Sequence, residues 1–467
     1  MIGRKKTHQT VPVPQPQDLA SAARALGRDP EALAAFEAAW ERRRLEEPET
    51  DQGLITSHLP FLARKRHDAA VATPEQEQTA REMAHAIALR LAGDEDVPEV
   101  TPEDVSGLPR EVAPQLTHDA MRYDSPPGAA DAAVLMALAQ AADAQDPNAR
   151  RQWLARARQG LDMLDIDPLV YEMLSADPTS MGNWLGPLMA AADATDGVEV
   201  PRTRVVRVPA PILQLPRTLE PDELTQATRN VVNEWATVAF DLRPDGDYFV
   251  RTGTFSSKYD FRNARVRGGE VAELGEYLLY LSHQAAEMAG PLTMPHPMIG
   301  VSTTNEWVVR DYVTSASDLA TIYHGLPLRV EFRCFVDLDE REVLGVVPYW
   351  DPEAMTESLG SRAAQGDAEA AHDLVSFMAW WETAADDFER LCPKAARVCE
   401  DLMANGLAEL GGQWSLDLML TTDDNGAETL WAIDMAPAHR SALRDRIGDP
   451  SRILDAGEPD WAAALPG

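Results

Sequence analysis

Residues 414–437, WSLDLMLTTDDNGAETLWAIDMAP, read as two strands folded back on each other. Apolar and polar residues alternate on both sides of Asp423-Asp424-Asn425-Gly426, and Asn-Gly is a strong two-residue turn signal. With Asn425-Gly426 at the turn, Leu416 pairs with Met435, Leu418 with Ile433 and Leu420 with Trp431, which makes one unbroken apolar face. On the other face Asp417 meets Asp434; a wider loop moves the register by two and leaves them diagonal neighbours. Like charges directly opposite destabilise a sheet unless a cation neutralises them. Paired hard oxygen ligands suit Mg²⁺, which is commonly held by one or two carboxylates plus substrate phosphates. The alternative is a solvated face on which both aspartates are incidental.

Working back along the chain, Glu331-Phe332-Arg333-Cys334-Phe335 is a second alternating run, with Glu331 and Arg333 on one face. An arginine on a strand is pre-positioned to fork onto a phosphate, although a structural ion pair with a neighbouring carboxylate fits the same pattern. Trp307 to Arg310, Tyr248 to Arg251 and Val343 to Trp350 read as further strands. Directly after Arg251 comes a hydroxyl-rich loop, Thr252 to Lys258. Its lysine is the only one between residues 66 and 393 of a chain that has five. Such a loop offers backbone N–H groups and hydroxyls to phosphate oxygens, with Lys258 as the point charge; the rival reading is a solvated loop lysine.

Between these strands lie amphipathic helices: one opening at Pro221 with Leu224, Ala227, Val231, Trp235 and Val238 on one face, one over Glu270 to Met288, and one with Leu374, Phe377, Met378, Trp381 and Phe388 that is expected to break at Pro393. Val205-Val206-Arg207-Val208, flanked by prolines, suits an edge strand. The texture changes near Val198. Residues 1–17 read as a polar tail, and 18–197 as an Ala-rich helical domain. Its helices are expected from Asp18, from Pro30 (stripe Leu33, Phe36, Trp40), and over 74–93, 129–145 and 148–164. Residues 198–467 form the mixed region. The fold class is α+β: a mostly α-helical N-terminal domain followed by a region of largely antiparallel sheets.

Composition narrows the function. The 467 residues carry a formal charge of −34, which argues against broad binding to nucleic-acid backbone or anionic membranes. An anionic ligand would need a local basic pocket. Three cysteines, Cys334, Cys392 and Cys399, form no Cys-x-x-Cys pair, so neither a disulfide framework nor structural zinc is expected, and a reducing cytoplasm is the natural location. No signal peptide and no run of about 20 apolar residues is present.

The order of motifs resembles the ATP-grasp superfamily and, within it, the cell division cycle protein 123 family, over about residues 203–445. The pieces are Phe249-Val250-Arg251 with Lys258 seven residues on, Val308-Val309-Arg310-Asp311-Tyr312, Glu331-Phe332-Arg333-Cys334-Phe335-Val336, Ser415-Leu416-Asp417, and Trp431-Ala432-Ile433-Asp434-Met435-Ala436-Pro437. The resemblance implies an ATP-grasp-like fold for the C-terminal region, with ATP and Mg²⁺ as cofactors. By it, Arg251 and Lys258 hold the triphosphate, although the family usually has a lysine at the first position. Val309, Arg310, Asp311 and Tyr312 form the hinge against adenine and ribose, Arg333 touches phosphate, and Asp417 and Asp434 hold Mg²⁺. Lys258 and Arg333 are then the catalytic cations. The family places a metal-binding asparagine two residues after the second aspartate, where this chain has Ala436.

Two functions remain open at this point. One is an ATP-dependent ligase or phosphotransferase that activates a carboxylate as an acyl phosphate, with catalysis by positioning and charge neutralisation. The other is a non-catalytic, ATP-bound assembly factor whose helical N-terminal domain contacts a protein client. Lys258-Tyr259-Asp260-Phe261 partly resembles the Lys-x-Asp-Gly element of covalent nucleotidyltransferases, but the Lys-x-Lys element they need downstream is absent. His283, His296, His324 and His439 are scattered and mark no general base.

Overall fold

The computed structural model describes residues 72–117, scattered positions between 137 and 166, and 168–454 apart from 219–222, 290–300 and 317–319. The tail over 1–17, the helices expected from Asp18 and Pro30, and most of those over 129–145 and 148–164 lie outside the described residues. The described helices are α1 (Pro74–Leu91), α2 (Pro102–Ser106), α3 (Pro168–Ser175), α4 (Met181–Asp193), α5 (Ala210–Thr218), α6 (Gln226–Phe240), α7 (Leu274–Ala289), α8 (Pro352–Ala364) and α9 (Ala368–Ala404). The strands are β1 (Val198–Glu199), β2 (Thr203–Arg207), β3 (Asp247–Thr252), β4 (Arg265–Arg267), β5 (Glu306–Asp311), β6 (Thr321–Ile322), β7 (Leu326–Pro327), β8 (Glu331–Asp337), β9 (Glu342–Pro348), β10 (Gln413–Thr422) and β11 (Glu428–Pro437). Among the described residues no helix is long and apolar enough to cross a membrane, and the three cysteines are free thiols.

The strands form a five-stranded sheet in the order β1-β11-β10-β8-β9, a four-stranded sheet β2-β5-β3-β4, and the small ribbon β6-β7. Apart from the parallel β1–β11 contact, the described pairings are antiparallel, and β2 lies at an edge as its prolines require. The α+β class therefore holds. Strand β5 decides how the layers stack, because its alternation points neighbours into different cores. Trp307 and Val309 join Val250 of β3, Val231 and Trp235 of α6, and Ala84 and Ile87 of α1 in one core. Val308 joins Trp184 of α4, Phe332 of β8, Leu416 of β10 and Val398 of α9 in the other. Both cores include residues from either side of position 198, so the helices before it pack with the sheets after it.

Local signals explain the element ends. Thr73 and Gln76 exchange bonds with each other's backbone N–H to start α1, and Pro74 occupies the first turn, where no N–H is needed. Helix α6 begins at its Thr225 cap and buries Ala227, Val231 and Trp235 as the periodicity requires. Val238, however, falls beyond the buried stripe and is 48% exposed. Helix α9 does not break at Pro393. The ring removes one backbone donor, but Leu391, Ala395 and Val398 are buried on either side, and that packing carries the helix through.

The final hairpin departs from the expected register halfway along. Leu416 pairs with Met435 and Asp417 with Asp434, as the turn arithmetic gives. A bulge then slips the register, so that Leu418 pairs with Ala432 and Leu420 with Leu430. The turn is also wider than two residues: the Asp423 N–H donates to the Ala427 carbonyl, and Gly426 adopts φ +82°. Ala432 and Leu430 therefore take the core positions expected for Ile433 and Trp431, and the Trp431 indole N–H donates to Thr421 Oγ1 instead (2.8 Å).

Glu306, at the start of β5, reaches the N-terminus of α4. Its carboxylate accepts from the Ser180 hydroxyl and from the Gly182 N–H (2.9 Å), where the helix dipole favours negative charge. A Cβ at position 182 would stand 2.2 Å from Glu306 Oε1. Gly182→Ala is therefore expected to lower stability by about 1–3 kcal/mol, the usual range for overpacking; a urea midpoint equal to wild type would show that the carboxylate moves aside freely.

Candidate functional site

A cleft opens between the two large sheets. Strand β3 contributes Phe249 and Arg251, and the segment after it Ser256, Lys258 and Phe261. Strand β5 and its exit contribute Arg310, Asp311, Tyr312 and Val313. From the other side come Glu331 of β8, Tyr349 and Trp350 after β9, Asp417 of β10, and Ile433 and Asp434 of β11. In a chain of charge −34, the lining brings Arg251, Lys258, Arg310 and Arg329 together, against Asp311, Glu331, Asp417 and Asp434.

The two carboxylates of the final hairpin face this cleft together, but each already has a cation. Asp417 lies directly across from Arg333 in the β10–β8 ladder. It accepts a fork from the guanidinium, Nε to Oδ1 at 2.9 Å and Nη2 to Oδ2 at 2.8 Å. Asp434 pairs across the cleft with Arg251 of the other sheet, Nη1 to Oδ2 at 2.9 Å. Burial penalises the Arg333 charge, yet Asp417 more than offsets that and holds the guanidinium above its ordinary range. Of the two readings of Arg333, the structure shows the ion pair.

Arg310 has a different task from the hinge contact expected of it. The bulge turns the Ile433 carbonyl out of the ladder, and Arg310 Nη1 donates to it at 2.7 Å, while Nε donates to Thr203 Oγ1 at 3.0 Å. Burial, with Arg251 nearby, pushes the Arg310 guanidinium down to about 10. Arg310 therefore ties the four-stranded sheet to the backbone immediately before Asp434. Val309 is not in the site at all. Alternation turns its side chain into the helical core, and its neighbours β2 and β3 occupy both flanks of its backbone. Asp311 and Tyr312 do line the cleft, with their N–H groups donated to the carbonyls of Arg202 and Asp247 (both 2.9 Å). The Tyr312 ring lies under the Arg265 guanidinium at 3.8 Å.

The hydroxyl-rich loop is not a free phosphate cradle. Thr252 Oγ1 accepts from the Phe255 N–H, Thr254 donates to the Ser302 carbonyl, Ser257 donates to Gln284, and the Gly253 N–H donates to Thr304. Ser256 is the loop hydroxyl that lines the cleft. What the loop delivers is Lys258, which opens a short 3₁₀ turn after Ser257 at φ +43°. Its Nζ stands 4.0 Å from the centre of the Tyr349 ring, with Trp350 and Tyr259 at 5.7 and 5.8 Å. Burial, then Arg333, push its ammonium down to about 8.

Sequence reasoning missed Arg329, Glu331, Tyr349 and Trp350 as members of the site. Glu331 shares the strand face with Arg333 and was legible as such, whereas the two aromatics read only as the end of a strand. The Trp350 indole N–H donates to Glu331 Oε1 at 3.3 Å. Burial, with Asp417 also adverse and Lys258 opposing, pushes the Glu331 carboxyl up to about 7. An acid whose native value is raised binds more protons folded than unfolded, so its contribution is complete below about 4.5 and is lost as pH rises through about 7. Glu331→Gln is therefore expected to stabilise the chain at pH 8 by on the order of 2–3 kcal/mol, with the gain vanishing near pH 5. Thermal unfolding of both proteins at the two pH values checks this; a gain that grows toward low pH would reverse the sign.

Asp417 and Asp434 are hard oxygen donors of the type a divalent ion takes, but each is held by an arginine and the two do not make a complete cage. Among the described residues no three His, Cys, Asp or Glu side chains gather as a metal site. At position 436 the methyl of Ala436 offers no oxygen, and the backbone carbonyl of that residue accepts from Ser415 Oγ at 3.3 Å. An ion held by this pair would have to take its remaining ligands from a bound anion.

No protein-family model matches the chain, and no curated protein does. Among solved structures it is similar to the structure of Cdc123 from Schizosaccharomyces pombe, at 12% identity and a TM-score of 0.30, covering 56% of this chain and 83% of that one. A likeness this distant carries no argument about the chemistry of the cleft.

Proposed function

We propose that this chain is an ATP-grasp-type protein that binds ATP with Mg²⁺ in the cleft between its two large sheets. The observation that supports this is the convergence of Arg251 and Lys258 with Asp417 and Asp434 on one cleft of a strongly acidic chain, with Arg333 paired to Asp417 directly behind it. Arg251, Lys258 and Arg333 hold the phosphates, Asp417 and Asp434 hold the ion, and Asp311 and Tyr312 meet the nucleoside. Arg310 positions Asp434. Bound Mg²⁺ supplies further neutralisation of phosphate charge. The reaction class is that of a ligase or phosphotransferase. A carboxylate oxygen of the acceptor bonds to the γ-phosphorus, the bridging oxygen leaves with ADP, and a nucleophile then attacks the acyl carbon, breaking its bond to the phosphate oxygen and releasing inorganic phosphate and the nucleophile's proton. The chain's part is to orient the two reactants and to balance negative charge with Lys258 and Arg333.

Ala436 and the arginine partners of both carboxylates favour a second reading: ATP held as a structural ligand, with the helical N-terminal part contacting a protein client. A thermal-shift panel of nucleotides with and without Mg²⁺ tests the shared claim, since a ligand at about 100 times its Kd adds roughly 2.7 kcal/mol. ATP with Mg²⁺ is expected to raise the Tm, and no shift at millimolar concentrations would refute nucleotide binding. ADP released on adding a carboxylate acceptor selects the ligase reading; tight binding without ADP formation selects the other.

A further inference from the structure

Lys258 and Arg333 come from different elements, the turn after β3 and strand β8, and repel one another; Lys258 lines the cleft, and Arg333 stands behind its wall, forked onto the lining residue Asp417. One side chain stands against both. The Tyr349 ring centre is 4.0 Å from Lys258 Nζ and 4.6 Å from Arg333 Cζ. Tyr349 follows β9, the strand paired with β8, and its N–H donates to the Glu331 carbonyl at 2.8 Å, which fixes the ring's base beside that strand. A tyrosine ring presents a negative face to cations, and the attraction strengthens where water is excluded. Trp350 supports the arrangement, with ring centres 5.0 Å apart in an edge-to-face contact.

We propose that Tyr349 is a positioning residue that holds Lys258, on the wall of the cleft, beside Arg333 just behind it, so that both act on the same anionic group. With no anion present the ring offsets part of their repulsion and keeps the lysine from swinging into solvent. With a phosphate bound, both donors are already in place, so less side-chain freedom is lost on binding. That the group is the triphosphate of ATP rests on the function proposed above; that the ring holds the two cations does not.

The test therefore has two readouts, applied to the full chain as wild type, Tyr349→Phe, Tyr349→Leu and Tyr349→Gln. The first is the rate at which an amine reagent labels Lys258, read by peptide mass spectrometry with Lys394 as internal standard. Tyr349→Phe keeps the π face and is expected to label like wild type, whereas Tyr349→Leu and Tyr349→Gln are expected to label Lys258 at least fivefold faster. The second is affinity for ATP and for AMP, each with Mg²⁺. The Leu and Gln variants are expected to lose about tenfold for ATP and much less for AMP, because a phosphate grip is impaired and not the pocket as a whole. Unchanged Lys258 labelling in both variants overturns the proposal, as does an equal loss for ATP and AMP. Faster labelling in a protein whose wild type binds no ATP would uphold the positioning role and remove the nucleotide.

Discussion

Asp417→Ala is expected to lower the stability of the chain by about 3–5 kcal/mol, because it leaves a buried arginine without its carboxylate. The Arg333 side chain is 13% exposed and that of Asp417 5%. The two share a forked contact at 2.8 and 2.9 Å, so little water is available to replace the lost partner. The Ala442 carbonyl, which also accepts from Arg333, lies at 3.3 Å and carries no formal charge. Arg333→Met in the same background is expected to recover much of the loss, since removing both members of a buried pair costs far less than removing one. Denaturant unfolding of the single and double variants measures both quantities. A single-variant loss below about 1 kcal/mol would mean that Arg333 is solvated in the native protein.

Lys258→Met is expected to weaken ATP binding by roughly 10- to 150-fold, the equivalent of a charge-assisted contact of about 1.5–3 kcal/mol. Stability should change in the opposite direction or hardly at all. Burial disfavours the ammonium and brings it down to about 8, so removing the charge relieves a cost. A lysine lowered in this way binds fewer protons folded than unfolded between about 8 and 10.5, and its destabilising effect fades as pH rises through that window. The affinity runs the other way, because only the protonated amine grips phosphate: ATP binding to wild type should fall as pH passes about 8, and the Lys258→Met variant should lack that step. An affinity profile with the same pH dependence in both proteins would assign the charge to another group.

What could be read from the sequence was whatever depends on neighbours along the chain. Alternation put Asp417 and Asp434 on one face, and they pair because the bulge offsets the wider turn; period-2 patterning put Glu331 beside Arg333 on one strand face. The bulge that re-registers the hairpin was invisible because its partner is remote: Arg310, 123 residues away, takes the Ile433 carbonyl that the bulge releases. Position 309 was misassigned by parity. A hinge drawn as four consecutive residues ignores that alternate side chains of β5 enter different cores. Pro393 failed as a breaker because tertiary burial outweighed one lost hydrogen bond. Tyr349 and Trp350 carried no local signal at all, since a ring against two cations from other elements becomes apparent only once the sheets are assembled.

Calorimetric titration of ATP into the wild-type chain and into Asp434→Asn, each with and without Mg²⁺, puts the cleft to its hardest test. Asparagine keeps the shape and one oxygen while removing the charge that faces both Arg251 and the ion site. Wild type is expected to bind ATP far more tightly with Mg²⁺ than without it, and Asp434→Asn is expected to lose about tenfold or more of that Mg²⁺-dependent affinity. Equal binding by the two proteins, or no heat of binding to wild type under any condition, would contradict a magnesium–nucleotide site between the sheets.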